Sequence, residues 1–231
     1  DGKKIISASR DKTIKIWDLI TGNILETLEG YTNFVLSVAV SSNGKYVVGG
    51  SYDNDIKIWE IETGELLHSL DGHDGWKNYV TISPDDKYII NGSYDKNIKI
   101  WELRTGKLIR TLEGHKAEVS SVAVSPDGKF IISGSWDCYI KIWKMMTGEL
   151  VHTLEKHRGS VYSVTISSDG KYIVSGSYDN SVRVWDMKAD KHYGPFYHAS
   201  AVNTVLIIPE TNLVIAGDRH GDILVWDFLK E

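Results

Sequence analysis

The chain has 231 residues, of which 42% are hydrophobic and 25% charged, and its net charge is −5. That composition is ordinary for a folded domain. Acids and bases are interleaved, which argues against a general nucleic-acid or anionic-membrane surface, because such affinity comes from clustered Lys and Arg.

No apolar run approaches the roughly 18 residues needed to cross a bilayer as a helix. No secretory leader pattern opens the sequence, and Asp1 as first residue suggests the boundary of a longer polypeptide. Cys138 is the single cysteine, so no intrachain disulfide can form. The expected compartment is therefore a reducing one, the cytoplasm, with the nucleus as the alternative.

Six tryptophans recur almost evenly, at Trp17, Trp59, Trp101, Trp143, Trp185 and Trp226, with gaps of 42, 42, 42, 42 and 41 residues. A constant period means one supersecondary unit copied along the chain. The copies are residues 1–30 (partial), 31–72, 73–114, 115–156, 157–197 and 198–231 (partial), read as one domain. In chain order, the first begins at its second strand, Lys4-Ile5-Ile6-Ser7, and Thr21-Gly22 turns from its third strand to its fourth.

The fourth copy shows the full pattern. Val119, Val122 and Val124 mark a first strand, and Ser125-Pro126-Asp127-Gly128 a turn. Lys129–Ser135 is a second strand, and Trp136-Asp137-Cys138 a tight turn. Tyr139–Trp143 is a third strand, Thr147-Gly148 turns again, and Leu150–Leu154 is the fourth. Short β-branched strands punctuated by Asn-Gly, Asp-Gly and Thr-Gly predict antiparallel hairpins. Lys188–Tyr197 departs most from the pattern, because Ala189-Asp190 replaces Thr-Gly, so an irregular fourth strand is expected there. The last copy ends on its third strand, Ile223–Trp226, which makes 22 strands in all.

Four strands per copy, with Gly72-His73 and Gly114-His115 at the start and Trp17-Asp18, Trp185-Asp186 and Trp226-Asp227 near the end, resemble the WD-repeat family. The resemblance implies an all-β propeller of four-stranded antiparallel blades around a central channel. Six blades are represented, four complete and two three-stranded. They are expected to form part of a seven-bladed or larger assembly, with a six-bladed ring carrying one imperfect seam as the alternative.

His115, Ser133, Asp137 and Trp143 occupy fixed spacings, repeated as His157, Ser175, Asp179 and Trp185. Ser, His and Asp together invite a hydrolase reading. The resemblance implies instead a structural network in which Trp donates to Ser, Ser meets His and His meets Asp. Several triads 42 residues apart serve no enzyme, so no catalytic residue is assigned. In other copies the set decays to Tyr31/Gly49/Asp53, His73/Asn91/Asp95 and His198/Ala216/His220, with Asn91 expected still to bond within its set. The remaining histidines show no zinc-like clustering, and Cys138 reads as a turn residue. No metal or other cofactor is expected.

The resemblance also places the residue before the tight-turn Asp on the narrow top face. That position holds Arg10, Tyr52, Tyr94, Trp136, Tyr178 and Arg219. Two further positions there supply Phe34, Trp76, Asn78, Glu118 and Tyr162. Tyr, Trp and Arg are the types enriched in binding hot spots. The expected function is a non-catalytic scaffold binding a protein or peptide on that face, with no nucleic acid or membrane as partner. The alternative is a sensory or substrate-recruiting propeller within a larger enzyme or regulator.

Overall fold

The computed structural model describes residues 2–53, 55–71, 73, 79–187 and 191–230. All regular structure among them is antiparallel β-sheet, and no helix is present among the described residues. The chain packs as two compact units, Asp1–Glu113 and Gly114–Glu231, each holding three sheets.

In the first unit, β1 (Lys4–Ala8), β2 (Ile14–Asp18) and β3 (Ile24–Leu28) form a three-stranded sheet. A second sheet holds β4 (Val35–Val40), β5 (Tyr46–Ser51), β6 (Ile56–Glu60) and β7 (Leu66–Leu70). A third holds β8 (Tyr79–Ile82), β9 (Tyr88–Gly92), β10 (Ile98–Glu102) and β11 (Leu108–Leu112).

In the second unit, the fourth sheet is β12 (Val119–Val124), β13 (Phe130–Ser135), β14 (Ile140–Lys144) and β15 (Leu150–Leu154). The fifth is β16 (Val161–Ile166), β17 (Tyr172–Ser177), β18 (Ser181–Asp186) and β19 (His192–Tyr197). The sixth is β20 (Val202–Ile207), β21 (Leu213–Asp218) and β22 (Ile223–Asp227). Sequential strands are neighbours in every sheet, so each complete copy becomes one four-stranded blade and the first and last copies become three-stranded ones.

The turns follow from local chemistry. In the fourth sheet Ser125 Oγ donates to Asp127 Oδ1 at 2.6 Å and accepts from Phe130 N at 2.9 Å, while Gly128 takes φ 69°. A left-handed residue is needed there to start the next strand, and glycine takes it without a Cβ clash.

The core lies between neighbouring sheets rather than inside any one of them. Ile14 and Ile16 of the first sheet meet Val35, Val47 and Trp59 of the second. Ile132, Ile140 and Ile142 of the fourth meet Val161, Val164 and Ile173 of the fifth. Val174, Val182 and Val184 of the fifth meet Val202, Val205 and Val214 of the sixth. Not all glycines are turn residues. A Cβ at Gly134 would come within 2.7 Å of Val161 and one at Gly176 within 2.6 Å of Val202, so strand glycines set the approach of the next blade.

The departure expected at Lys188–Tyr197 is smaller than the sequence suggested. Residues 188–190 lie outside the described ones, but β19 is a paired strand against β18, with a register shift between Val182 and Val184. The other blades carry a one-residue shift between their third and fourth strands too, next to the repeat Trp; here it falls earlier along β18, and the blade keeps its fourth strand.

Lys12, Lys96, Cys138 and Asn180 share φ values of 73°, 74°, 73° and 63°, all at the residue after the tight-turn Asp. A left-handed backbone at a non-glycine costs about 1 kcal/mol, and Asn tolerates it better than Cys. Cys138→Asn is therefore expected to raise stability by roughly 0.5 kcal/mol, read as a small increase in thermal midpoint; a decrease would contradict this account of the turn.

Candidate functional site

The strongest polar constellation lies inside the blades. In the fourth sheet Trp143 Nε1 donates to Ser133 Oγ at 2.9 Å, Ser133 Oγ lies 2.7 Å from His115 Nε2, and His115 Nδ1 lies 2.8 Å from Asp137 Oδ2. The fifth sheet repeats the chain through Trp185, Ser175, His157 and Asp179 at 2.9, 2.8 and 2.9 Å. An ionised Asp only accepts, so the histidine proton sits on Nδ1 and Nε2 accepts from serine. Every member is then satisfied, and the network joins the third strand, the second strand, the tight turn and the loop before the first strand.

Ser133 and Ser175 are 0% exposed. A nucleophile must reach a substrate, and these hydroxyls are sealed, so the arrangement ties a blade together rather than attacking a bond.

Burial alone would raise the Asp137 pKa. The His115 hydrogen bond, with the N–H groups of Lys116 and Tyr139, outweighs it and holds the carboxyl below its ordinary value. Asp179 is held low in the same way by His157, Ser181 and Arg158 N, and Asp95 by His73.

The other copies depart from what the sequence pattern suggested. In the second sheet Tyr31 Oη donates to Gly49 O at 2.7 Å, and its ring packs edge-on against Trp59 at 5.3 Å. A Cβ at Gly49 would lie 2.4 Å from that hydroxyl, so Tyr and Gly replace His and Ser as a matched pair. Asp53 is bonded instead by Thr32 N, Thr32 Oγ1 and Asn33 N at 2.8, 2.6 and 3.0 Å.

In the third sheet Asn91 does not stand in for serine. Its Nδ2 donates to Tyr79 O at 3.2 Å, while Asn91 Oδ1, His73 Nε2 and Trp101 Nε1 have no hydrogen-bond partner among the described residues. In the sixth, an acid stands two residues early: Asp218 Oδ2 lies 3.6 Å from His198 Nδ1, beyond hydrogen-bond range, and both side chains are fully buried. Asp218 stands where the four complete blades carry Ser51, Ser93, Ser135 and Ser177, a displacement that the spacing of copies alone does not reveal.

The candidate binding residues sort by unit. In the second unit the Trp136 and Tyr162 rings lie 6.3 Å apart and the Tyr162 and Tyr178 rings 6.0 Å apart, both edge-to-face. Trp136 is 37% and Tyr178 54% exposed. Trp136 N donates to Glu118 O and Tyr178 N to Ser160 O, so each aromatic turn is pinned to the loop before the first strand of its own blade. Arg219 N is pinned to Ala201 O in the same manner.

Burial, with Tyr178 and Glu118 nearby, pushes the Tyr162 hydroxyl up against the opposing charge of Arg219. Glu118, Tyr162, Tyr178 and Arg219 thus share one electrostatic neighbourhood. In the first unit the Arg10 guanidinium lies 5.7 Å from the Phe34 ring centroid, Phe34 and Tyr52 lie 6.4 Å apart, and Tyr94 is 46% exposed. Trp76 and Asn78 lie outside the described residues.

Sequence reasoning missed what aims Tyr162. The pairing of β16 with β17 shifts register between Val161 and Ser163, so Tyr162 is the extra residue of a bulge. The same bulge falls at Val35/Ser37, Val119/Ser121 and Val202/Thr204. Bulges re-aim side chains at sheet ends. At the corresponding place in the fourth sheet Ser120 turns inward instead, its one hydroxyl proton lying between Gly134 O, at 3.1 Å, and Val161 O. No group of three or more His, Cys, Asp or Glu suited to a metal ion occurs among the described residues.

A meander of short strands, tied by a buried Trp–Ser–His–Asp chain and repeated every 42 residues, defines a WD-type blade. The WD domain, G-beta repeat pattern matches residues 1–18, 22–60, 64–102, 106–144 and 148–186, and the chain belongs to this family, whose members generally act as non-catalytic scaffolds that bind proteins. It is similar to Nuclear distribution protein PAC1 of Mycosarcoma maydis, 51% identical over 43 residues, which is 19% of this chain and 10% of the relative. Nuclear distribution protein PAC1-2 of Uncinocarpus reesii is 46% identical and PAC1 of Arthroderma otae 49% identical, each over 43 residues, 19% of this chain and 9% of the relative. The aligned segments thus span about a tenth of these relatives, the length of one repeat.

Trp143→Ala removes a large buried ring and leaves Ser133 one donor short, so a loss of roughly 3–5 kcal/mol is expected; an unchanged thermal midpoint would refute it. Because the native pKa values of Asp95, Asp137 and Asp179 lie below the ordinary 3.8, their contribution is complete above about pH 4 and is lost as pH falls through the native values. Thermal midpoints should drop below about pH 4, and Asp179→Asn should be less stable at pH 7 with a shallower acid limb.

Proposed function

We propose that the chain is a non-catalytic interaction module that binds a peptide or protein segment through the turn-end aromatic clusters. The observation that carries this reading is the Trp136–Tyr162–Tyr178 array, where half-exposed rings are held by backbone bonds from their own blades. Turns anchored in this way lose little conformational freedom on binding, so more of the contact energy appears as affinity. Large amphipathic rings beside Glu118 and Arg219 suit a partner that offers apolar side chains and charges of both signs. Phe34, Tyr52 and Arg10 offer the first unit a smaller surface of the same type. The same reading covers Tyr94, Trp76 and Asn78. A protein-binding role in a reducing compartment, the cytoplasm, is consistent with a lone Cys138 in a turn.

The test is affinity capture from source-cell lysate with the wild-type chain beside a Trp136→Ala/Tyr178→Ala variant of equal thermal midpoint. A partner held by the wild type should fall at least tenfold in recovery with the variant, in keeping with the loss of two hot-spot aromatics. Equal recovery would move the binding surface elsewhere on the molecule.

A further inference from the structure

The junctions between neighbouring blades repeat as the blades do, and so can be compared position by position. At the junction of the fifth and sixth sheets the rings of Tyr172, Tyr193 and Phe228 pack mutually edge-to-face, at 6.3, 5.0 and 5.4 Å. One repeat earlier, between the fourth and fifth sheets, the positions of Tyr172 and Phe228 hold Phe130 and Met187, and that of Tyr193 falls at the bulge made by Val151 and His152. No second large aromatic ring stands against Phe130 there. There Val151 and His152 stand beside the buried Ile142 along a cleft of about 410 Å³, whereas at the later junction Tyr193 packs on Tyr172 and Phe228 and a smaller cleft of about 330 Å³ remains beside Tyr172. The larger volume falls in the range of ligand sites.

Its lip is acidic. Asp127 and Asp169 both line the cleft, each with one carboxylate oxygen committed to a serine and a backbone N–H of its own turn. Their second oxygens meet Lys129 and Lys171 at 3.4 and 3.0 Å, but these lysines are 73% and 63% exposed, and such pairs exchange readily with another cation. His152 completes the rim.

The corresponding junctions of the first unit differ. Three repeats earlier, between the first and second sheets, Phe130 and His152 become Lys4 and Glu26, so that cleft is lined by charges. Between the second and third sheets His68, the counterpart of His152, bonds across the junction to Arg104 O at 2.9 Å.

We propose that the cleft between the fourth and fifth sheets binds a linear peptide by one aromatic side chain, with an adjacent lysine or arginine facing Asp127 and Asp169. The later junction shows the seated chemistry inside the same molecule: Tyr193 lies against Tyr172 and Phe228 as the guest ring would lie against Phe130 and Met187. The site is separate from the turn-end cluster. Phe130 and Trp136 bracket β13 at opposite ends, some 20 Å apart for a strand of six residues.

Binding can be read by amide chemical-shift titration of the full chain with a capped Gly-Lys-Tyr-Lys-Gly peptide. Gly-Lys-Ala-Lys-Gly and Gly-Glu-Tyr-Glu-Gly serve as controls. Saturable shifts are expected around Phe130, Val151, Gly170 and Met187, with at least tenfold weaker binding of both controls. Val151→Tyr and Val151→Tyr/Met187→Phe rebuild the filled junction, so each should keep or raise the thermal midpoint and lose at least tenfold in affinity. Trp136→Ala should bind the peptide as the wild type does, which separates failure of this site from failure of the turn-end surface. No saturable shift at millimolar peptide, undiminished binding by a folded Val151→Tyr variant, or shifts confined to the Trp136 and Tyr178 turns would each overturn the proposal. Equal binding of the glutamate peptide would overturn the assigned role of the two aspartates.

Discussion

A four-stranded sheet of short strands has two broad faces and cannot cover either by itself. In this chain that constraint governs nearly everything else. The buried Ile and Val side chains lie between blades, where one sheet's face becomes the next sheet's lid. Strand glycines, the inner-strand bulges and the constant copy length all serve that stacking. Gly134 and Gly176 leave room for valines of the next blade. Stability in such an array is close to a sum of blade and junction contributions. The junction is thus both the source of cohesion and a place where a change of side-chain volume has an immediate geometric effect.

Within a blade, a second device fixes the third strand to its surroundings. The Trp–Ser–His–Asp chain is buried and internally satisfied in the fourth and fifth sheets. Elsewhere the molecule shows how far this device can be altered without loss of the sheet. The second sheet substitutes a phenol–carbonyl bond, while the third and the sixth each leave three buried polar atoms of the set without partners among the described residues. The turns that carry Trp136 and Tyr178 belong to the two blades with complete chains. The Trp136–Tyr178 aromatic surface therefore rests on the best-braced scaffold.

Much of the architecture was legible in the sequence because the tryptophan period and the Asn-Gly, Asp-Gly and Thr-Gly pairs are local signals that repeat. Strand number and order within each sheet follow from them directly. What was not legible depends on pairs of residues distant in sequence. The inward turn of Ser120 and the outward aim of Tyr162 arise from one shared bulge, and nothing in either residue announces the difference. Asp218 was overlooked because it stands two positions from where an acid is expected. Asn91 was expected to imitate serine, but the backbone carbonyl of Tyr79 competes for its amide. The cleft beside Phe130 emerges only when Val151 and His152 are compared with Tyr193 across a packed junction.

The Tyr31–Gly49 pair has a consequence for how blades of this kind can diverge. A serine at position 49 collides with the Tyr31 hydroxyl, and a histidine at position 31 faces a glycine that offers no hydroxyl. Each single replacement is penalised although the double replacement restores a familiar network, so the two sites are strongly epistatic. Once a copy has crossed into the tyrosine–glycine state, point mutation alone offers no downhill route back. Duplicated blades that start identical can in this way become historically trapped in different internal chemistries while their outlines stay the same.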